Sequence, residues 1–393
     1  MSFDTFQSVT DVIEKRMTPT VVKDVDVNVT ESLTYNVTNL TDGMMSDTPL
    51  MLYQLFGELI CSFGVACNVI NLCVLSQKEL YESPYVYLIA LAFSDVTFLI
   101  LSLIHLLSYT NPATGFFTYF NAYAFFVGGN ICFYISVWLI VFITLERMTF
   151  VLWPMKFKPS RRKAFVVIFL IVGLCTFIYL PRAFCLSVAT TKTGYTIKTL
   201  PFRGSKQFYY LSWFYSAINT FIPNLILIVT NTILIKAIRK AATERVNLRS
   251  NQSEASRQDE RRLTRMLIAI VIVFFICTVP SAFSDDPISY ALFGAPKGRT
   301  WMEHINSQEN TIQLYVNNIL LYLNSSLNFI LYCAFNRKYR MATKQLFRRL
   351  KSSVRQSNVR HHNHSLSSIT TTTIVHNNYM CVIGALQKFE SKV

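Results

Sequence analysis

The sequence predicts an all-α membrane protein, a seven-transmembrane helix bundle followed by a short amphipathic eighth helix. Three observations predict it. Of 393 residues, 52% are hydrophobic and 15% charged, whereas a soluble chain carries about a quarter charged residues. Mean hydropathy is +0.34, and the apolar residues gather into runs, several beyond the roughly 18 to 20 residues that cross a bilayer as a helix. The net charge of +15 is also unevenly placed. Lys156, Lys158, Arg161, Arg162 and Lys163 crowd one inter-span loop, and Lys236, Arg239, Lys240, Arg261 and Arg262 another; a third basic group begins at Arg337. That is the pattern of cytoplasmic loops. It accounts for the basic balance without nucleic acid as a partner.

Residues 1–48 form a polar tail, short of aromatics and without the apolar core of a cleavable signal peptide. Asn28-Val-Thr, Asn36-Val-Thr and Asn39-Leu-Thr are glycosylation acceptors if this tail is extracellular. The charge asymmetry agrees with that orientation. The bundle occupies 49–335. Span 1 covers about 52–76, with Glu58 in its outer part and Asn68 and Asn71 deeper. Span 2, about 85–109, holds Asp95 between apolar neighbours. An ionisable group at that depth needs a partner, water or an ion. Span 3, about 121–150, ends in Glu146-Arg147-Met148 before Trp153-Pro154. This pair either snorkels to the interface or forms part of a polar switch in which Glu146 holds Arg147 toward neighbouring helices.

Span 4, about 164–181, closes on Pro181-Arg182. Span 5, about 208–238, opens with six aromatics between Phe208 and Tyr215 and contains Pro223. Span 6, about 263–283, contains Cys277-Thr278-Val279-Pro280, and span 7, about 311–334, is rich in Asn. Residues 336–350 alternate Arg and Lys with Tyr339, Leu346, Phe347 and Leu350, a composition suited to the inner lipid surface. Residues 351–393 are rich in Ser, Thr, His and Asn and are expected to be disordered. They end in Ser391-Lys392-Val393, which could add as a strand to a PDZ-type domain. Of nine cysteines, only Cys185 and Cys381 lie clearly outside the spans. The rest read as small buried apolar residues, with neither a disulfide scaffold nor metal-ligand spacing.

Read together, the polar residues inside the spans resemble the rhodopsin-like (class A) G-protein-coupled receptors over roughly 53–350. The resemblance rests on Asn68, Leu91-Ala-x-x-Asp95, Glu146-Arg147-Met148, Pro223, Pro280 and Asn328-Phe-Ile-Leu-Tyr332, each on its own span in order. Within that class the chain is most similar to invertebrate receptors for FMRFamide-like and myosuppressin-like neuropeptides. The stretches that carry this are Cys61 to Asn71, Ser136-Val-Trp138-Leu, Leu180-Pro-Arg182-Ala-Phe, Leu263 to Ile270 and Asn324 to Cys333. Three positions depart from the class. Ala122 stands where its span 3 cysteine would fall, so the usual outer disulfide is expected to be absent. Thr278 replaces the span 6 switch tryptophan, and Asn231 the span 5 tyrosine.

The resemblance implies no enzymatic activity and no cofactor beyond an allosteric sodium ion. It implies a plasma-membrane receptor with an extracellular N-terminus, and as partners a peptide, a heterotrimeric G protein, arrestin and membrane lipid. Asp95, Ser136, Asn324, Ser325 and Asn328 match the class's sodium pocket; the alternative is a hydrogen-bonded seam between helices. Arg147 would be locked by Glu146 and by Glu260, and released on activation, with Pro154 and Met155 touching the G protein. Glu260 could equally be solvated. Pro223, Val137 and Phe274 match a packing relay that Pro280 and Tyr332 accompany, and core packing explains each equally well. For a peptide ending in Arg-Phe-amide, a carboxylate, an aromatic slot and amide acceptors are required. Outer-half candidates are Glu58, His105, Asn130, Tyr134, Arg182, Tyr215, Asp285 and Gln313, with Asp285 the expected cation partner.

Other classes fit less well. An amine receptor would carry an Asp near Gly129, an opsin a Lys in span 7, and an intramembrane enzyme a second deep acid. A transporter would show repeated halves. The surviving alternative is an orphan or chemosensory receptor of the same fold with a small or non-amidated ligand.

Overall fold

A backbone that crosses hydrocarbon must satisfy its own hydrogen bonds, so apolar runs of this length fold as helices. The computed structural model describes residues 48–364 apart from 81, 111–113, 154–155, 157–159, 193 and 247–253. Helix α1 is Thr48–Leu75, α2 Ser83–Leu107, α3 Gly115–Leu152 and α4 Arg161–Tyr179. Helix α5 runs from Lys206 to Val246 and α6 is Glu254–Ala282. Helix α7 joins Gln308–Ser326 to Asn328–Phe335, and α8 is Arg337–His364. Six of these are long and apolar enough to span a membrane, and α6 adds a shorter apolar stretch, Thr264–Pro280. The seven expected spans are therefore all helices. Helix α8 continues past the expected end at 350 to His364.

The helices close a ring. Helix α1 packs on α2 and α7, α2 on α3, α5 on α3 and α6, and α6 on α7. Helix α3 runs through the middle and also meets α4 and α6. Large apolar side chains face outward along the spans, with Phe169 78% and Phe177 75% exposed on α4. In water such a belt would be a liability; in lipid it costs nothing.

Two spans widen locally into π turns. In α5 the wide turn is Ala217–Phe221, just ahead of Pro223. Proline cannot donate a backbone hydrogen bond and its ring crowds the preceding turn, so the helix relaxes there. In α3 the wide stretch is Phe120–Gly129, which ends at the Gly128-Gly129 pair. Between α4 and α5 the chain forms a hairpin, β1 (Leu186–Thr191) with β2 (Gly194–Thr199), paired from Leu186↔Thr199 to Thr191↔Gly194. Val188 and Ile197 pack on a small core of Ala122, Cys185, Leu186 and Phe208. Cys185 is a buried free thiol in that core. Ala122 and Cys185 thus meet within one apolar cluster.

Helix α1 approaches α7 closely at Gly64. A Cβ there would collide with Ser326 Oγ and meet a Leu99 methyl at 2.7 Å. Gly64→Val should therefore part α1 from α7 and destabilise the bundle by about 1–3 kcal/mol. The melting temperature of purified protein checks this; an unchanged value would mean the helices can give way.

Candidate functional site

Polar residues buried at three depths organise the bundle interior. At mid-depth, Asp95 on α2 is 1% exposed. Ser136 on α3 donates its hydroxyl to Oδ1 at 2.9 Å, and Asn328 Nδ2 on α7 donates to Oδ2 at 2.8 Å. One carboxylate thus ties three helices. Asn324 and Ser325 are buried on the same stretch of α7. A second chain leads away from there. Asn68 Nδ2 donates to the Ser325 carbonyl at 2.8 Å, Asn71 Nδ2 to Asn68 Oδ1, and Tyr339 OH on α8 to Asn71 Oδ1 at 2.6 Å. Tyr332, fully buried, packs edge-on to Tyr339. All five residues expected at the ion pocket are therefore buried, and the structure bonds three of them directly to one another.

At the α8 end, Arg147 is buried, with its guanidinium 5.5 Å from the Phe150 ring centre. Glu146 faces α2, where its Oε2 accepts from Ser83 Oγ at 3.2 Å. Neither is a snorkelling surface group. Pro154, Met155 and the Glu260 side chain lie outside the described residues, as do Asn28, Asn36, Asn39 and the 365–393 tail.

At the hairpin end, four of the eight expected ligand residues come together. The Tyr134 ring stacks on Tyr179 at 4.7 Å, and Tyr179 on Tyr215 at 5.1 Å. The Arg182 guanidinium lies 5.1 Å from the Tyr215 ring centre and 5.6 Å from those of Tyr179 and Phe126. This is a cation–π arrangement across α3, α4 and α5. Asp285, at the start of the turn after α6, accepts from Thr220 Oγ1 at 3.0 Å. Burial pushes its carboxyl up to about 6, against hydrogen bonds from Thr220 and Ser216 that pull it down.

Tyr134 and Asp285 line one cavity of about 30 Å³ with Phe133, Val137, Phe274, Leu321 and four more polar residues: Asn219, Thr220, Asn224 and Asn317. Thr278 completes its wall. Only acid and amide chemistry, with hydroxyls, faces an aromatic and aliphatic shell, which is the composition of a ligand site. Val137 and Phe274, the positions expected in the packing relay, line this cavity; Pro223 is buried on α5, and Pro280 lies exposed within α6.

The remaining candidates have other work. His105 Nδ1 pairs with Asn121 Oδ1 at 3.0 Å, and its ring stacks on Phe125 at 3.9 Å, which fixes α2 to α3. Asn130 Nδ2 bonds the Phe126 carbonyl of its own helix. Gln313 Nε2 donates to the Phe283 carbonyl at 2.6 Å and its Oε1 accepts from Ser289. Glu58 is half-exposed on α1, away from the cavity lining. Sequence reasoning missed Thr220 and Asn224. The only available signal was their closeness to Pro223, whose wide turn swings both toward the interior.

A seven-helix ring with a buried Asp95 tied to α3 and α7, and Arg147 buried at one end of α3, is the arrangement the motifs call for. The model of the 7 transmembrane receptor (rhodopsin family) matches residues 66–332. The chain belongs to that family. It is a multi-pass membrane receptor and not an enzyme. Relatives include a Drosophila melanogaster FMRFamide receptor, 26% identical over 340 residues, which are 81% of this chain and 58% of that one. A probable G-protein coupled receptor of Caenorhabditis elegans is 26% identical over 73% of this chain and 67% of its own. Human neuromedin-U receptor 2 is 23% identical over 71% and 67%. The chain thus spans little more than half of the Drosophila receptor's length.

Proposed function

We propose that this receptor is a plasma-membrane receptor, N-terminus outside, for an amidated neuropeptide of the FMRFamide-like or myosuppressin-like kind, and that it activates heterotrimeric G proteins. The observation that carries the ligand class is Asp285, a half-buried carboxylate that lines a cavity walled by aromatic rings. Such a carboxylate suits a cation, and a guanidinium offers two parallel hydrogen bonds to it. Phe133, Tyr134 and Phe274 supply the slot for an aromatic neighbour. The similarity to an FMRFamide receptor supports the same ligand class.

At the other end, neutralising Glu146 would loosen the hold on Arg147 and let α6 open toward a G protein. Arrestin and inner-leaflet lipid against α8 complete the partners. Glycosylation is proposed at Asn28, Asn36 and Asn39. Asp95, Ser136, Asn324, Ser325 and Asn328 offer an all-oxygen set that fits a hard monovalent cation such as sodium, which would favour the resting receptor.

Asp285→Ala should right-shift peptide potency by about tenfold, about 1.4 kcal/mol, in a G-protein activation assay; an unchanged curve at normal surface expression removes Asp285 from the site. With its carboxyl at about 6, the anion is present at pH 7.4 and lost as pH falls through 6. Affinity for a cationic peptide should accordingly drop by about tenfold between pH 7 and 5, and a flat profile would contradict the pairing. Replacing sodium with a bulky organic cation at equal ionic strength should raise agonist affinity in the wild type and leave Asp95→Asn unaffected; equal effects on both would sink the ion site. Glu146→Gln should raise basal signalling, and a fall would count against the lock.

A further inference from the structure

A second buried polar cluster lies away from the cavity, in the chain between α6 and α7. That segment is folded. A helical turn, Asp286–Ser289, leads through a wide turn, Tyr290–Gly294, to a short helix, Trp301–Ile305, which Thr300 and Glu303 cap reciprocally. Ser289, His304 and Asn310 at its centre are each 1% exposed or less. Ser289 Oγ lies 2.9 Å from His304 Nε2, 3.2 Å from Asn310 Oδ1 and 3.1 Å from Gln313 Oε1. The segment also grips its neighbours. Tyr209 on α5 meets the Tyr290 and Trp301 rings edge-on at 6.4 and 5.1 Å, and Lys297 and Arg299 pair with Glu309 on α7 at 2.6 and 3.2 Å.

The proton count in this cluster fixes the state of His304. The amide nitrogens of Asn310 and Gln313 donate to the Ile305 and Phe283 carbonyls, which turns both amide oxygens toward Ser289. Ser289 has one hydrogen to give. If it went to His304, both oxygens would face only lone pairs. The hydrogen therefore goes to the amide oxygens, and His304 Nε2–H donates to Ser289. A neutral ring then carries no hydrogen at Nδ1, and among the described residues that buried nitrogen has no hydrogen-bond partner. A second proton would create a buried, charged donor with nothing to receive it. The ring is also tightly covered. A Cβ on Gly294 would lie 2.7 Å from His304 Cγ, and the Tyr290 ring centre is 5.9 Å away.

Charged groups reach the ring from each element packed around it: Asp286 from the first turn, Lys297 and Arg299 from the stretch before the short helix, and Glu309 from α7. Burial first, then Arg299, hold the imidazole below the ordinary histidine range; Lys297 adds to this, and Asp286 and Glu309 oppose it. Lys297 and Arg299 in turn hold the Glu309 carboxyl low, so their ion pairs outlast mild acid.

We infer that this segment is an acid-sensitive clasp: closed over a neutral His304 it ties the hairpin ends of α5 and α7, and a second proton on the imidazole unlatches it. The stability that the neutral ring supplies is complete at neutral pH. It is lost as pH falls below about 6.5, where a released imidazole takes up the proton that the clasped one refuses. With the hairpin end facing outward, the clasp meets the external medium, or the interior of an acidified vesicle after uptake. Only that exposure rests on the orientation proposed above; the clasp itself rests on the cluster.

The test is hydrogen–deuterium exchange of the full-length receptor in lipid nanodiscs, without peptide, so that it depends on neither ligand nor orientation. The stretch to follow is 301–307, where the His304, Asn306 and Ser307 amides bond within the segment. After division by the intrinsic chemical rate, wild-type protection there should fall about tenfold from about pH 7.4 to about pH 5.5, the limit for one histidine that titrates near 6.5 when released and takes no second proton while clasped. His304→Gln keeps an N–H for Ser289 and cannot titrate, so its protection should match at the two pH values within about twofold. Asp285, at the root of the same segment, also titrates in this range, so Asp285→Asn should retain the wild-type fall. A flat wild type, a fall that persists in His304→Gln, or a fall abolished in Asp285→Asn overturns the inference. Should His304→Gln lack protection even at neutral pH, nitrogen NMR of the wild-type imidazole decides. The ring should be protonated at Nε2 alone at neutral pH, and at both nitrogens in acid as protection is lost. A ring charged at neutral pH, or still neutral in acid after the segment has opened, would contradict the clasp.

Discussion

The interior of this receptor depends on how Asp95 is satisfied. A carboxylate placed in a membrane core is tolerable only with close partners, and its two oxygens are taken by Ser136 on α3 and Asn328 on α7. Those bonds fix the relative depth of three helices. They also set α7 so that the Ser325 carbonyl meets Asn68, from which Asn71 and Tyr339 carry the polar contact to α8. Weakening the Asp95 cluster would therefore shift α7 against its neighbours, and the two ends of the bundle would feel it together.

The hairpin end uses a different device. Aromatic stacking through Tyr134, Tyr179 and Tyr215 holds α3, α4 and α5 together beneath Arg182. The wide turn ahead of Pro223 carries Thr220, which lines the same cavity as Asn224 and as Asp285 from the turn after α6. What results is a cavity with acid and amide acceptors on its walls and packing residues beneath it. Its contents bear directly on Phe274.

Much of this was legible in the sequence because membrane helices declare themselves by length and hydropathy. Asp95, Arg147 and Asn328 were conspicuous for the same reason: a polar residue inside an apolar run needs an explanation. The hairpin was less legible. Its strands, Leu186–Thr191 and Gly194–Thr199, are short runs rich in Thr and other β-branched residues, a pattern easily passed over beside long helices. The ligand side was half legible. Tyr134, Arg182, Tyr215 and Asp285 converge, but His105, Asn130 and Gln313 look identical in sequence and are already committed to neighbours. Which amide in a span faces a void and which bonds its own helix depends on helix rotation and on the wide turns, and neither leaves a clear mark on residue spacing. Helix α8 extends beyond position 350 to His364, through a stretch rich in Ser, Asn and His whose composition alone suggested an end.

The account makes the cavity and the Arg147 end two faces of one equilibrium. Its most direct test is a distance between spin labels at the ends of α3 and α6 nearest Arg147, in a background with the exposed Cys73 replaced. Adding FMRFamide should lengthen that distance, and the Thr278→Trp variant, whose cavity is filled, should show no peptide-induced change. If peptide binds the wild type and the distance stays fixed, or if the filled variant opens as the wild type does, the proposed link between the cavity and Arg147 is wrong.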